Sequence, residues 1–288
     1  MYKVVTKRFL NEAKTICLFE IEAPLAAKHA QAGQFVIFRL DEQGERVPVS
    51  IAGWDREKGT VTVMVQAAGR TTRMLHTVEQ GDYITDFVGP LGKATEMEGL
   101  KKVCVVGGGV GCAIAYPIAK EMHKLGTDVT FIAGFRSADI VILKDELKAA
   151  SDKLIICTDD GSYGEKGFTT KYLQDEIEAN IKEGKPQFDR VIAIGPDIMM
   201  KFLADVTRPY GIKTIISLDP IMVDGTGMCG GCRVIVGGET KFACVDGPDF
   251  DAHEVDFDSL LKRAAFYKEE QDEEAKHICR MTGGHRNG

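Results

Sequence analysis

Lys102-Val-Cys-Val-Val-Gly-Gly-Gly-Val-Gly111 is the stretch on which the fold turns. Val103 to Val106 form a continuous apolar run, as expected of a strand buried on both faces of a parallel sheet. Glycines interrupt the run, and Cys112 to Leu125 then reads as a helix. The bare N–H groups and positive dipole end of such a helix start attract a pyrophosphate. Gly108, Gly109, Val110 and Gly111 are therefore candidate nucleotide contacts. The strict Gly-x-Gly-x-x-Gly pattern is not met, because position 112 is Cys, and a tight strand–helix turn without ligand is the plainer reading.

Downstream, strands are expected at Asp128–Ala133, Lys153–Thr158 and Arg190–Ile194, with helical segments between them. This alternation predicts an α/β, parallel-sheet, NAD(P)-binding domain over residues 98–215. Ligands of such sheets lie at the carboxyl ends of the strands, which nominates Gly134, Arg136, Asp159, Gly195 and Pro196. Arg136 has two readings, a cation for a ribose or phosphate and a solvated loop charge. Met199 and Met200 read as helix packing. Upstream, residues 1–97 read as all-β: Gly33–Leu40 and Gly59–Gln66 alternate residue types between turn signals, which suggests a small antiparallel barrel.

The sharpest local signal is Asp224-Gly-Thr-Gly-Met-Cys229-Gly-Gly-Cys232, followed after eleven residues by Cys244. The plant-type [2Fe–2S] loop is Cys-x4-Cys-x2-Cys with a distant fourth cysteine, and this chain matches all but the first position. There Asp224 offers a harder but competent anionic ligand. Glycines 225, 227, 230 and 231 suit a loop that wraps a cluster closely. A structural zinc site and a metal-free turn are the alternatives, although only one short Cys-x2-Cys unit is present. Residues 216–250 are expected to form a small cluster module, too short for a core of its own and stabilised by metal. Residues 251–288 read as a C-terminal helix, Ser259 to about Lys276, and a tail. His277, Cys279 and His285 lie in that tail and are expected to be mobile chain rather than a second metal site.

A formal charge of −7 argues against nucleic acid or an anionic membrane surface as the main partner. The N-terminus lacks an apolar signal core, and no run is long enough to span a bilayer, so a cytoplasmic location is expected. In that reducing setting the eight cysteines are not expected to serve as structural disulfides. Five are scattered, at 17, 104, 112, 157 and 279, and three are gathered at 229, 232 and 244.

Barrel, nucleotide-binding domain and plant-type cluster loop, in that order, resemble the ferredoxin–NADP reductase superfamily. The chain is most similar there to electron-transfer subunits of the dihydroorotate dehydrogenase type. With Asp224 at the first ligand position, it also looks like the small subunits of NADH-dependent reduced ferredoxin:NADP oxidoreductases, which support electron bifurcation. The resemblance implies FAD in the barrel. Its Arg-x-aromatic-Ser strand matches Val47, Pro48, Val49 and Ser50, with the arginine, Arg46, one place early. Adjacent strand residues point to opposite faces, so backbone groups of this segment carry the expectation better than Arg46 does. Met64, Val65 and Gln66 match the segment beside the flavin ring, and Gly69, Thr71 and Thr72 match the turn that takes the FAD pyrophosphate. On composition alone, Ser50, Thr71 and Thr72 read as ordinary barrel and turn residues.

The implied activity is that of an NAD(P)H-dependent flavoprotein oxidoreductase subunit. It exchanges a hydride with NAD(H) through FAD, and single electrons through the cluster with a larger flavin and iron–sulfur subunit in a heterodimer. Ferredoxin and NADP(H) are then reached through that partner. No catalytic acid or base is required of the chain. NAD(H) is the expected nucleotide, with NADP(H) left open. A subunit serving dihydroorotate dehydrogenase, a hydrogenase or a sulfite reductase, and a nucleotide sensor with structural zinc, are the competing readings.

Overall fold

The structure, a computed structural model, describes residues 1–265. The first sheet comprises β1 (Tyr2–Phe9), β2 (Ile16–Glu22), β3 (Phe35–Arg39), β4 (Val47–Asp55), β5 (Thr60–Gln66), β6 (Tyr83–Ile84) and β7 (Asp86–Leu91). Two short helices interrupt them, α1 (Pro24–His29) and α2 (Arg70–Leu75). The strand order is β6-β1-β2-β5-β4-β3-β7, antiparallel throughout. β6 and β7 end that order at opposite edges yet only Thr85 separates them, and the Tyr2 and Phe87 rings lie 5.9 Å apart. The sheet therefore curls into a nearly closed barrel. On β5, Val61, Val63 and Val65 point inward while Thr62, Met64 and Gln66 do not, as the period of two requires.

The second sheet takes β8 (Lys102–Gly108), β9 (Asp128–Phe135), β10 (Lys153–Thr158), β11 (Glu165–Lys166), β12 (Arg190–Ile194) and β13 (Thr214–Ser217). Between them run α3 (Gly111–Lys124), α4 (Lys144–Ala149), α5 (Thr169–Lys182) and α6 (Asp197–Thr207). These strands are parallel in the order β11-β10-β9-β8-β12-β13. Val103 and Val105 of β8 pack with Ala115 and Ile118 of α3, whereas Cys104 and Val106 pack with Leu173 and Leu203 on the other face. That two-sided burial explains the unbroken apolar run in the sequence.

The remaining elements are β14 (Arg233–Val236), β15 (Glu239–Phe242), α7 (Ala243–Asp246), β16 (Asp249–Asp251) and α8 (Phe257–Ala264). The hairpin β14–β15 turns on Gly237 and Gly238, both at positive φ, as its two-residue loop demands. β16 pairs antiparallel with β13 and extends the α/β sheet by one strand. Val234, Val236, Ala243 and Phe250 lie in the same apolar cluster as Leu203 and Ile216, so this segment shares the core of its neighbour. α8 starts at Phe257, two residues earlier than the sequence suggests, because the Asp256 carboxylate caps it by accepting Ser259 N–H at 3.0 Å. The rest of the expected helix, and His277, Cys279 and His285, lie outside the described residues. Among those described, no helix is long and apolar enough to cross a membrane.

Candidate functional site

The barrel segments singled out for flavin border a gap. β4 and β5 pair from Asp55↔Thr60 to Ile51↔Val63 and no further. Beyond that point Val47–Ser50 keep only β3, and Met64–Gln66 keep only β2. Ile51 N–H donates to Gln34 O at 2.9 Å, which fixes the alternation along β4: positions 49 and 47 bond to β3 while 48 and 50 face the gap. Pro48 thus sacrifices no ladder bond. On β5, the 2.9 Å bond from Ala67 N to Thr15 O likewise turns the peptide groups of Met64 and Gln66 toward the gap, and Gln66 O there accepts Ala68 N–H at 2.9 Å. A groove edged by open donors and acceptors suits a planar heterocycle, and FAD fits it in chemical character. Val65 is different. Its side chain is buried in the barrel, and its carbonyl lies 2.9 Å from His76 Nε2.

Beside the gap, Gly69 precedes α2. The Thr72 hydroxyl accepts N–H from Ala68 and Gly69 at 3.1 and 3.0 Å, so it is committed to the local turn. The Thr71 hydroxyl donates to Glu45 Oε2 at 2.6 Å and lines a cavity of roughly 530 Å³ between α2 and residues 40–45. Glu45 escaped the sequence reading. Arg46 points elsewhere: its Nε donates to Val223 O at 2.6 Å, and its guanidinium lies 3.9 Å from Asp86. A bond across 177 residues leaves no trace in local sequence.

At the carboxyl ends of β8 and β12 the nucleotide candidates come together. An added Cβ on Gly111 would meet Ile194 O at 2.3 Å, so only glycine lets α3 start so close to β12. Gly109, at φ +57°, faces open space, where a phosphate can approach the backbone. Val110 is the N-cap residue and makes no side-chain cap bond, while the Cys112 and Ala113 amides donate to Gly109 O and Val110 O at 3.1 and 2.9 Å. Gly108, Gly195 and Pro196 crowd around the Met199 side chain, whose sulfur would lie 2.5 Å from a Cβ on Gly108. Sequence reasoning placed Met199 with Met200 as packing. Met200 is fully buried and Met199 packs against the same core, as read, but Met199 also covers the glycine cradle, and its spacing from Gly195-Pro196 was the available signal. Gly134 has a structural role, since its carbonyl accepts Gly109 N–H at 2.8 Å, and a Cβ there would strike Thr169 at 2.4 Å. Arg136 is exposed, and the loop carrying Asp159 runs beside it through bonds from Asp159 N to Phe135 O (3.0 Å) and Asp160 N to Arg136 O (3.4 Å).

In the cysteine loop the nominated ligands form two pairs. Cys229 Sγ lies 3.4 Å from Asp224 Oδ1, and Cys244 N–H donates to Cys232 Sγ at 3.4 Å. Among the described residues, no group of three or more His, Cys, Asp and Glu is gathered for a single metal ion. Two pairs are what two irons, each taking two protein ligands, require, and the donor set fits such a centre. The Asp224 carboxylate accepts N–H from Thr226, Met228 and Cys229 at 3.0–3.1 Å, and these bonds, the Thr226 amide foremost, hold it well below the usual carboxylate range. Burial, then the neighbouring Cys232, push the Cys244 thiol up to about 12, so its thiolate form depends on metal. The loop rests on the barrel: a Cβ on Gly225, at φ +78°, would press on the side-chain ends of Leu91 (2.8 Å) and Ile37 (2.9 Å).

Comparison with known proteins adds the following. Residues 219–256 match the iron–sulfur cluster binding domain of dihydroorotate dehydrogenase B. A Thermotoga maritima protein named a homolog of the dihydroorotate dehydrogenase B (NAD+) electron transfer subunit is 46% identical over 271 residues, covering 94% of each chain. A Clostridium beijerinckii protein of uncharacterized function, from the adh 3′ region, is 49% identical over 278 residues, 94% of this chain and 92% of that one. A chain from the solved structure of an NADH-dependent reduced ferredoxin-NADP oxidoreductase, described in terms of flavin-based electron bifurcation, superposes with a TM-score of 0.87. It is 44% identical, with 96% of this chain and 98% of that one covered.

Proposed function

The chain belongs to the family of dihydroorotate dehydrogenase B electron-transfer subunits, and from that premise we propose that it passes electrons between NAD(H) and a larger partner subunit. FAD is held in the gap by backbone groups of Val47–Ser50 and Met64–Gln66, with its phosphates toward the turn at Gly69 and Thr71, where the Thr71 hydroxyl would exchange its bond to Glu45 for one to a phosphate oxygen. Asp224, Cys229, Cys232 and Cys244 hold a [2Fe–2S] cluster. Bound in these places, FAD and the cluster supply the conversion between the two-electron hydride of NADH, which leaves as NAD+, and single-electron transfers to a partner.

One observation carries the reading: the barrel touches both neighbours of the gap. Met64 packs in one apolar cluster with Val110 and Ile114 at the nucleotide loop, while Ile37 and Leu91 support the cluster loop at Gly225. A group in the gap therefore sits between the hydride donor and the electron acceptor. The chain itself orients the nucleotide through the cradle at Gly108–Gly111, Gly195 and Pro196, with Met199 over it, and no side chain need move a proton.

Within the family, the reaction proposed is NADH-dependent ferredoxin:NADP oxidoreduction by electron bifurcation, in the cytoplasm. The partner is a larger flavin and iron–sulfur subunit, through which ferredoxin and NADP(H) are reached. The extent of the 44% likeness and Asp224 at the first ligand position support it. Anaerobic co-purification with quantification of FAD, iron and acid-labile sulfide is the test. One FAD and two irons per chain, bleached by NADH, are expected. Colourless, iron-free protein sinks the proposal, and recovery with a dihydroorotate dehydrogenase catalytic subunit replaces the bifurcating partner.

A further inference from the structure

We infer that Arg46 is a positioning residue that fixes the cluster loop against the flavin strand and so sets the electron path between them, an inference that rests on the function proposed above. Arg46 stands immediately before Val47, the first residue of the strand that borders the gap. Its Nε donates to the carbonyl of Val223, which immediately precedes Asp224, at 2.6 Å. A guanidinium nitrogen lies 3.9 Å from Asp86 Oδ2, and that oxygen also accepts Arg39 Nε–H at 2.7 Å. Asp86 therefore holds two arginine heads, and Arg46 is oriented from behind as well as in front. Its planar fork suits this two-sided hold better than the point charge of a lysine.

The second anchor is Gly225, wedged on Ile37 and Leu91 two residues beyond Val223. One polar and one steric contact thus seat the leading edge of the loop, on either side of Asp224. The remainder of the loop is less tied to the barrel: Cys229 is exposed, and Arg263 of α8 reaches Gly231 O at 3.1 Å from the opposite side. In balance, each NADH oxidised delivers two electrons and the cluster accepts one at a time, so the second waits on the flavin until the first has passed to the partner. Every such electron crosses the joint that Arg46 spans.

The test uses the full chain with FAD and cluster, and separately the cofactor-free chain. In stopped flow, Arg46→Gln is expected to keep the rate of flavin bleaching by NADH. The later phase of cluster reduction should slow several-fold, since electron transfer between two centres weakens steeply as they move apart. Arg46→Lys should recover only part of it. In the cofactor-free Arg46→Gln chain, hydrogen exchange at the amides of 224–229 should accelerate. Should Arg46→Gln fail to fold, Gly225→Ala, which lifts the same edge with Arg46 intact, must slow the same phase. An unchanged second phase with unchanged exchange overturns the inference, and so does loss of FAD binding with unchanged exchange, which would assign Arg46 to the flavin. If wild-type chain takes up neither group, the functional reading fails, while the exchange experiment still reports on Arg46.

Discussion

At the scale of single residues, two aspartates do opposite things with a proton. Asp224 is held ionised by the amides it accepts and belongs with the loop's thiols, so Asp224→Cys is expected to retain a cluster with a shifted reduction potential. An unchanged spectrum and potential in that variant would remove the carboxylate from the ligand set. Asp249 is half-buried where β16 meets the segment after β7: Oδ2 accepts the Thr95 hydroxyl at 2.6 Å, and Oδ1 is shielded from solvent without a partner. Burial pushes its carboxyl up to about 6, against the opposing pull of Thr95, Ser217 and Arg190. The folded chain therefore keeps a proton that the unfolded chain, near 3.9, gives up. Stability from this group is greatest below about pH 4 and falls as pH rises toward 6. Asp249→Asn should flatten that slope in urea titrations run across the interval, and an identical slope in both proteins would show that Asp249 is not the group responsible.

At the scale of elements, the strand–glycine–helix unit separates glycines needed by the fold from glycines needed by a ligand. Gly111→Ala places a methyl against Ile194 O, an overpacking expected to cost about 1–3 kcal/mol of stability. Gly109→Ala meets nothing within the chain, and the left-handed backbone at φ +57° costs about 1 kcal/mol. That variant should fold, yet its methyl projects where a pyrophosphate approaches, so its KM for NADH in flavin reduction should rise several-fold with FAD content unchanged. An unaltered KM would take the nucleotide away from this loop. Elements of this kind were legible because their cause is local: β8 is apolar throughout since both its faces are covered, and Val61, Val63 and Val65 alternate since one face is. Arg46 and Glu45 were not legible in their roles. Their meaning lies in contacts with Val223 and Thr71, which sequence neighbours do not announce.

At the scale of the whole molecule, the cysteine segment behaves as part of its surroundings. Read by length alone, residues 216–250 need a metal to stand up, because so short a stretch cannot bury a core. The structure offers a second support. Met222, Val234, Ala243 and Phe250 share an apolar cluster with Leu203 of the α/β layer and Ile37 of the barrel, and β16 closes the sheet edge on β13. Apolar burial of this kind contributes about 1.5–3 kcal/mol for each large side chain taken from water. The hairpin and β16 should then persist without iron, and only the exposed turn around Cys229, studded with positive-φ glycines, should loosen. Chelation of the cluster is accordingly expected to leave the far-ultraviolet circular dichroism nearly unchanged and to lower Tm by several degrees, with the new hydrogen exchange confined to about 224–231. Collapse of the β16 amides into fast exchange on iron removal would mean that the metal, rather than the shared core, holds this end of the molecule together.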